Sequence, residues 1–533
     1  MNRLAERVRV QRVGGSEGGV VLVWFALMLV VLLGMGALGI DVAHLYQVKT
    51  QAQQAADAAA LAGAVYLPED PAPGAAEASS IASKNGFAVT AANADSVRPS
   101  QMNVEVSKTV DNFLAGVLGI STSTVKAKAS AEFLKPVAMG SPVNQFGNDP
   151  VACAGQHGTP CYPDFWANIA GRQSTKVSGD RYAAESCGGG AENCPGEYDP
   201  FGHVFAIEAK TSGTMSVEIF DPAFVAVGDA CEAANADLNA IAAAAPTYGQ
   251  PAARYVPGNT NPNCTGDVDF TTGTTGDEPT TTYTMRGQGP VPPNAQGSPV
   301  INSSSCQPAT FTGVRNNLTN RFTTNSTPAT GISPTVGFRD YFRRWTRVCQ
   351  VSVTPGTYYL QVQSPTGNGH NRYAVRATIG GSGTNVTVHG DEHMTIYANA
   401  PAANTTFHLA RIPTGAANHT LVVDLFDIGD ASSVGTLTIL PPPGATFDSC
   451  TFRKGVSGTD DPAPGCSVGN VSSSNGYQGK INQFRVEIPD DYSCADADPD
   501  ACWVKIRLAF GGGVNDTTTW SARLLGDPVR ITK

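Results

Sequence analysis

The sequence has few charged residues, and those that it has give a negative balance. Charged residues make up 15% of the chain, and the formal net charge is −10. Surfaces that bind nucleic acid are strongly basic, so this composition argues against nucleic acid as a partner. Hydrophobic residues make up 41% of the chain, which is enough to build cores and argues against a disordered chain.

Motifs of common catalytic chemistry are also missing. The sequence contains no His-Glu-x-x-His zinc motif and no glycine loop of the kind that cradles phosphate. We therefore expect no enzymatic activity.

Cysteine is absent from the first 150 residues, although the chain contains twelve cysteines. All twelve lie after residue 150, and they form pairs of neighbours along the chain. This pattern is typical of disulfides formed in an oxidising compartment. Thiolate metal sites are the alternative, but no Cys-x-x-Cys occurs and histidine is scarce nearby. The sequence cannot fix the connectivity; pairing of neighbours predicts Cys153 with Cys161, Cys187 with Cys194, Cys231 with Cys264, Cys306 with Cys349, Cys450 with Cys466 and Cys494 with Cys502.

One long run, Val20 to Ile40, contains no charged residue at all. As a helix it would span about 31 Å, the thickness of a hydrocarbon core. A cleaved signal peptide is the alternative, but its apolar core is normally shorter. Four arginines precede the run and an aspartate, Asp41, follows it. The positive-inside rule then predicts a single-pass anchor with a cytoplasmic N-terminus and an extracytoplasmic C-terminal region.

A helix made mostly of Ala and Gln continues directly from this run. Apolar residues recur there at helical spacing, at Leu45, Val48, Ala52, Ala55, Ala59 and Ala62. A narrow stripe of small side chains suits close packing against a neighbouring helix or a small sheet. We interpret the helix as a stalk and an assembly surface.

The stretch GGVVLVWFALMLVVLLGMGALGIDVAHLYQVKTQAQQAADAAALAGA closely resembles the TadG-like N-terminal segment of the Tad/Flp pilus-assembly family. The resemblance extends more loosely over residues 14–135. The residues that carry it are Asp41, Tyr46, Ala56, Asp57, Ala58, Ala59, Ala60, Leu61, Ala62 and Gly63. It implies a membrane-anchored envelope protein with a structural or interaction role in Flp-type pilus assembly or surface attachment. Its partners would be pilus-assembly or other envelope proteins, bound through the stalk helix.

Two features of related proteins are missing. Prepilins carry a Gly five residues before a Glu, but Glu17 has Arg12 at that position, so processing as a pilin is not expected. The Asp-x-Ser-x-Ser metal motif of larger family members is absent as well.

The remaining chain predicts many short antiparallel strands separated by Gly, Asn, Pro and Asp. Residues 204–229 resemble residues 407–430, and residues 349–377 resemble residues 484–524. Two blocks in the same order predict two copies of one β-sandwich module, loosely similar to the jelly-roll domains of secreted bacterial proteins.

We therefore predict an α+β, multidomain chain. Its parts are a basic tail (1–18), a transmembrane helix (19–40), the stalk helix (41–66), a small α/β segment (67–135), a Cys-containing linker or cap (136–200), one sandwich module (201–380, with a Pro/Gly/Thr-rich insertion at 222–335) and a second module (381–533).

We expect no cofactor apart from a possible Ca²⁺ site. Asp496, Asp498 and Asp500 alternate in the sequence CADADPDAC and could offer carboxylate oxygens to Ca²⁺. A solvated acidic loop is the plainer interpretation. Asp221 and Asp427 occupy equivalent positions in the repeat, where a turn carboxylate or a calcium ligand would fit. A calcium- or carbohydrate-binding surface receptor on the same anchor is the alternative function.

Overall fold

The structure, a computed structural model, divides into two compact units. The N-terminal unit comprises residues 1–133 together with 529–533, and the inserted unit comprises residues 134–528. The structure describes residues 17–67, 71–94, 101–113, 115–133, 137–147, 165–194, 196–221, 279–289, 294–312, 329–331, 345–400, 403–495, 498, 500–525 and 529–531.

The described part of the N-terminal unit contains two α-helices and one antiparallel sheet. The helices are α1 (Glu17–Ala64) and α2 (Pro71–Lys84). The strands are β1 (Ala88–Ala94), β2 (Gln101–Asp111), β3 (Thr122–Phe133) and, from the far end of the chain, β25 (Val529–Ile531), in the order β1-β2-β3-β25. The C-terminal half of α1 and the whole of α2 pack on this sheet, and their shared core is built largely from alanine and valine.

Small residues allow the two helices to approach closely. A Cβ built on Gly74 would lie 2.8 Å from the carbonyl oxygen of Gly63, and one built on Gly63 would lie 2.9 Å from that of Gly74. Neither position can hold a larger side chain unless the backbones separate. The Gly63 of the family pattern is therefore explained by this helix crossing.

Polar side chains of α1 hydrogen-bond to the backbone of β3. Lys49 donates to the carbonyl of Lys126, and Gln53 donates to the carbonyl of Lys128 at 2.9 Å. These carbonyls lie before the part of β3 that pairs with β25, where Val529 is opposite Phe133. The edge of β3 is thus covered by α1 in one part and by β25 in the other, which satisfies backbone groups that an open edge would expose.

In the described part of the inserted unit, antiparallel strands form three sheets. Its strands are β4 (Gln145–Phe146), β5 (Phe165–Ala170), β6 (His203–Ala209), β7 (Gly213–Phe220), β8 (Thr280–Arg286), β9 (Ala309–Thr312), β10 (Ala329–Thr330), β11 (Trp345–Val353), β12 (Gly356–Thr366), β13 (His370–Ile379), β14 (Val386–Gly390), β15 (His393–Ala400), β16 (Ala403–Arg411), β17 (Thr420–Phe426), β18 (Gly435–Leu440), β19 (Ser449–Lys454), β20 (Asp461–Pro462), β21 (Ser467–Val471), β22 (Ile481–Glu487), β23 (Trp503–Phe510) and β24 (Val514–Leu525). The largest sheet has 11 strands and runs β11-β7-β13-β5-β15-β24-β17-β22-β19-β20, with β4 pairing to β13. The others run β10-β9-β8-β12-β6-β14 and β16-β23-β18-β21.

These pairings show the internal repeat directly. In the first copy the sandwich is formed by β11-β7-β13-β5 facing β9-β8-β12-β6, and in the second by β22-β17-β24-β15 facing β21-β18-β23-β16. Each copy thus has eight strands in the same chain order and the same pairing, which is the jelly-roll arrangement. The predicted duplication of a β-sandwich is confirmed.

The two jelly rolls share one continuous sheet. Their first strands, β5 and β15, pair with each other, and Trp166 lies opposite Tyr397. Both side chains are fully buried. The first copy therefore begins at β5, inside the 136–200 segment that we predicted to be a linker or cap. The last strand of the predicted second module, β25, belongs to the N-terminal unit. Strand β25 has only three residues, too few to show a periodic pattern.

Four disulfides join the described cysteines, and they are four of the predicted pairs. They are Cys187–Cys194, Cys306–Cys349, Cys450–Cys466 and Cys494–Cys502. Closed loops of this kind stabilise a domain chiefly by restricting its unfolded state.

The other two predicted disulfides fall on cysteines outside the described residues. Cys153 and Cys161 form one of these predicted pairs, and Cys231 and Cys264 form the other. Both pairings therefore stay predictions. Most of the predicted 222–335 insertion also lies outside the described residues.

Replacing Gly74 with valine should destabilise the N-terminal unit by about 1–3 kcal/mol, because the new side chain meets the backbone of α1. Hydrogen exchange of peptides from β2 and β3 measures this loss within the full chain. Ala76→Val is the matched control, since Ala76 is exposed on the same helix. Equal exchange in the two variants would contradict the tight helix crossing.

Candidate functional site

The N-terminal half of α1 is exposed and apolar. Every side chain described between residues 21 and 40 is exposed. Among the described residues, α1 is the one helix long and apolar enough to cross a membrane. Trp24 and Phe25 lie near the start of the apolar run, and Tyr46 lies beyond the end of that run. Aromatic residues favour both interfaces of a bilayer.

The C-terminal half of α1 buries its alanine stripe within the N-terminal unit. Ala52, Ala55 and Ala59 are almost completely buried, in the core shared with α2, β2 and β3. Of the family motif, Ala56, Ala60 and Gly63 are buried too, whereas Asp57, Ala58, Leu61 and Ala62 are partly buried. The stripe that we interpreted as an assembly surface is therefore covered by the chain's own sheet and is not available to a partner.

A different face of the stalk remains accessible. Its exposed residues follow each other at helical spacing: Val42, Ala43, Tyr46, Gln47, Thr50 and Gln54. Tyr46 of the family motif is 75% exposed. A large exposed aromatic side chain on a rigid helix is a common anchor in protein interfaces, so this face can bind a partner without unfolding the unit.

Asp41 is buried at the junction between the two halves of α1, with 4% of its surface exposed. One carboxylate oxygen accepts a hydrogen bond from the backbone N–H of Phe113 at 2.9 Å, and the other accepts one from Ala115 at 2.6 Å. Ala115 begins a short 3₁₀ helix, Ala115–Leu118. The carboxylate thus caps N–H groups that have no partner within that helix. The aspartate of the family pattern holds the loop between β2 and β3 against α1.

The predicted calcium loop forms other contacts. The Asp500 carboxylate accepts hydrogen bonds from Lys505 at 2.6 Å and from His408. An Asp498 carboxylate oxygen accepts a hydrogen bond from the backbone N–H of Asp500 at 3.0 Å. Asp496 lies outside the described residues. Among the described residues no group of three or more His, Cys, Asp or Glu side chains is arranged to hold a metal ion. Calcium binding by the whole loop stays a prediction.

Asp427 does not cap its own turn but contacts the turn before the neighbouring strand β22. One of its oxygens accepts the backbone N–H of Gly479, whereas the other is buried without a hydrogen-bond partner. Burial, together with the nearby Asp516 and Asp430 carboxyl groups, raises the pKa of Asp427 to about 9. Burial and Asp430 raise the pKa of Asp516 to about 7. Asp427 is therefore a neutral acid at neutral pH. Its counterpart in the first copy, Asp221, is buried as well.

A buried Asp–His pair joins the segment before β6 to the first residue of that strand, and no sequence motif pointed to it. Asp180 accepts hydrogen bonds from His203 Nε2 at 2.9 Å and from the backbone N–H of Ala170 at 2.8 Å. Burial opposes ionisation of Asp180, but His203 and the backbone N–H groups outweigh it and hold its pKa well below the usual range. Both side chains are almost inaccessible to solvent, so the pair fastens this segment to β5 and β6.

Comparison with known proteins supports the anchor and stalk. Residues 18–65 match the family described as putative Flp pilus-assembly TadE/G-like. This confirms the predicted resemblance of the N-terminal segment. Neither a curated protein nor a solved structure matches the chain.

Replacing Asp41 with alanine should release the loop between β2 and β3, because two backbone N–H groups lose their acceptor. The expected cost is about 1–3 kcal/mol. Amide hydrogen exchange of residues 112–121 should accelerate strongly, whereas Asp41→Asn, which keeps one acceptor oxygen, should have an intermediate effect. Unchanged exchange in the alanine variant would show that the carboxylate does not hold the loop.

The inserted unit should lose stability as pH rises from about 4 to about 9. Asp427 and Asp516 keep their protons in the folded state after the unfolded chain has lost them. The folded state then binds more protons, so the free energy of unfolding falls with pH, by at most about 1.4 kcal/mol per pH unit for each group. Urea denaturation across this range measures the slope. Asp427→Asn should flatten it, and Asp490→Asn, at an exposed site, should not.

Proposed function

We propose that this protein is a membrane-anchored envelope protein that supports Flp-type pilus assembly by binding other proteins rather than by catalysis. The match of residues 18–65 to the TadE/G-like Flp pilus-assembly family carries the proposal. Helix α1 is the single membrane span, its N-terminus is cytoplasmic, and both jelly rolls are extracytoplasmic.

The chemistry on the two sides of the span supports this orientation. The arginines at positions 3, 7, 9 and 12 precede the apolar run, and all twelve cysteines lie beyond it. Short cytoplasmic segments favour basic residues, and disulfides persist in oxidising compartments. Four disulfides join the described cysteines of the inserted unit. Disulfides and charge pattern therefore favour the same orientation.

The exposed face of the stalk is the contact surface of this proposal. Val42, Tyr46 and Thr50 lie on it one helical turn apart. They directly follow the membrane span, where a second envelope protein anchored in the same membrane would meet them. A tyrosine at the centre of such a patch combines large apolar area with a hydroxyl group for hydrogen bonding.

The double substitution Tyr46→Ala and Thr50→Ala should reduce co-purification with Flp pilus-assembly components from solubilised membranes by at least about tenfold, which corresponds to about 1.4 kcal/mol. The alanines keep the helix and leave the buried face unchanged. Lys84→Ala is the control, because Lys84 is exposed on α2. Recovery of no pilus-assembly component with the unmodified chain would overturn the proposed function.

A further inference from the structure

The loop between β2 and β3 presents apolar side chains to solvent. Residues 112–121 read NFLAGVLGIS and include no charged residue. Phe113 is 66% exposed and Ile120 is 58% exposed. Large apolar side chains exposed together mark contacts with protein or membrane, so this loop is suited to an apolar environment.

The loop is closed by its own hydrogen bonds. The backbone N–H of Asn112 donates to the carbonyl of Ser121 at 2.9 Å, and that of Ile120 donates to the carbonyl of Ala115 at 3.1 Å. The Asn112 side chain also donates to the carbonyl of Ile120 at 3.0 Å. These bonds fix the course of the loop backbone from Asn112 to Ser121.

Asp41 fixes the height of the loop along α1. This carboxylate directly follows the apolar run, and it binds the N–H groups of Phe113 and Ala115. The Phe113 ring lies against the His44 ring, with centroids 5.2 Å apart. A helix rises about 1.5 Å per residue, and the headgroup layer beyond the hydrocarbon core is about 5–7 Å thick. The loop thus lies at the height of the headgroups when the apolar run spans the bilayer.

We propose that this loop is a second membrane contact, which rests on the outer face of the same bilayer that α1 crosses. Phe113 and Ile120, both exposed, enter the boundary between headgroups and acyl chains, beside the Asp41 and His44 positions of α1. The loop is hydrogen-bonded to Asp41, which directly follows the exposed apolar run, and this position identifies lipid as its occupant. The inference rests on the proposed anchor, because a chain whose α1 does not span a bilayer would not bring the loop to one.

The loop carries no charge, so the contact needs no anionic lipid. Amphipathic surface elements bind through buried apolar area and, where they are basic, through attraction to anionic headgroups. Only the first contribution is present here. The contact should therefore be as strong in zwitterionic vesicles as in anionic ones.

Quenching by brominated phosphatidylcholine tests this inference on the full-length protein in vesicles. The parent carries Trp24→Phe, which removes the indole of the apolar run. Phe113→Trp and Ile120→Trp each report on the loop, and Val30→Trp reports on the anchor itself. Gln51→Trp is the control, because Gln51 is exposed on α1, about 15 Å along the helix from Asp41.

Bromines attached near the headgroup should quench most of the emission that each loop substitution adds, with no effect on that added at position 51. Deep bromines should quench the indole at position 30 best. If position 30 is quenched and both loop positions are not, the inference is overturned while the anchor stands; a loop covered by a second copy or by another protein gives this result. If no position is quenched, the anchor fails as well. Equal quenching at position 51 also overturns the inference, because quenching would then not distinguish the loop from a stalk position farther from the membrane span.

Discussion

The carboxylate of Asp41 determines where the apolar half of α1 ends and the folded part of the chain begins. A buried carboxylate is costly unless donors surround it, and here the donors are backbone N–H groups of the loop between β2 and β3. The hydrogen bonds fix the sheet at one height along the helix. The alanine stripe then packs on that sheet, and Lys49 and Gln53 bind the backbone of β3.

The inserted unit is a duplication whose two copies are fused through their first strands. Pairing of β5 with β15 removes one exposed edge from each jelly roll and makes their larger sheets continuous. The residues at this junction, Trp166 and Tyr397, are fully buried. Edge strands that remain unpaired are a risk for aggregation, and this arrangement covers two of them at once.

Local patterns predicted much of this fold. The apolar run, the helical spacing of the alanines and the alternation of the short strands each depend on neighbouring residues, and so does the pairing of nearby cysteines. The repeat was visible because β6 and β7 share their turn and strand pattern with β16 and β17. In the irregular 136–200 segment, β5 is a single short strand, and its pairing partners, β13 and β15, lie far along the chain.

Contacts between residues that are distant in the chain could not be predicted from the sequence. The periodicity showed that one face of the stalk is buried, but not that β2 and β3 cover it. Nothing near Asp41 indicates that its hydrogen-bond donors are at 113 and 115, and nothing near Asp427 points to Gly479. Asp180 and His203 look like ordinary loop and strand residues until the fold brings them together. Buried polar groups of this kind are recognised only once their partners are known.

The return of the chain end to β3 determines how a pulling force would pass through the molecule. The chain leaves the N-terminal unit after Phe133 and re-enters it at Val529, and these two residues pair directly. A load on the inserted unit therefore opens the short β25 ladder from its end, one hydrogen bond at a time, which is the weakest direction for strands to resist. Once β25 has peeled away, the whole load passes to β3, which β2 and α1 still hold.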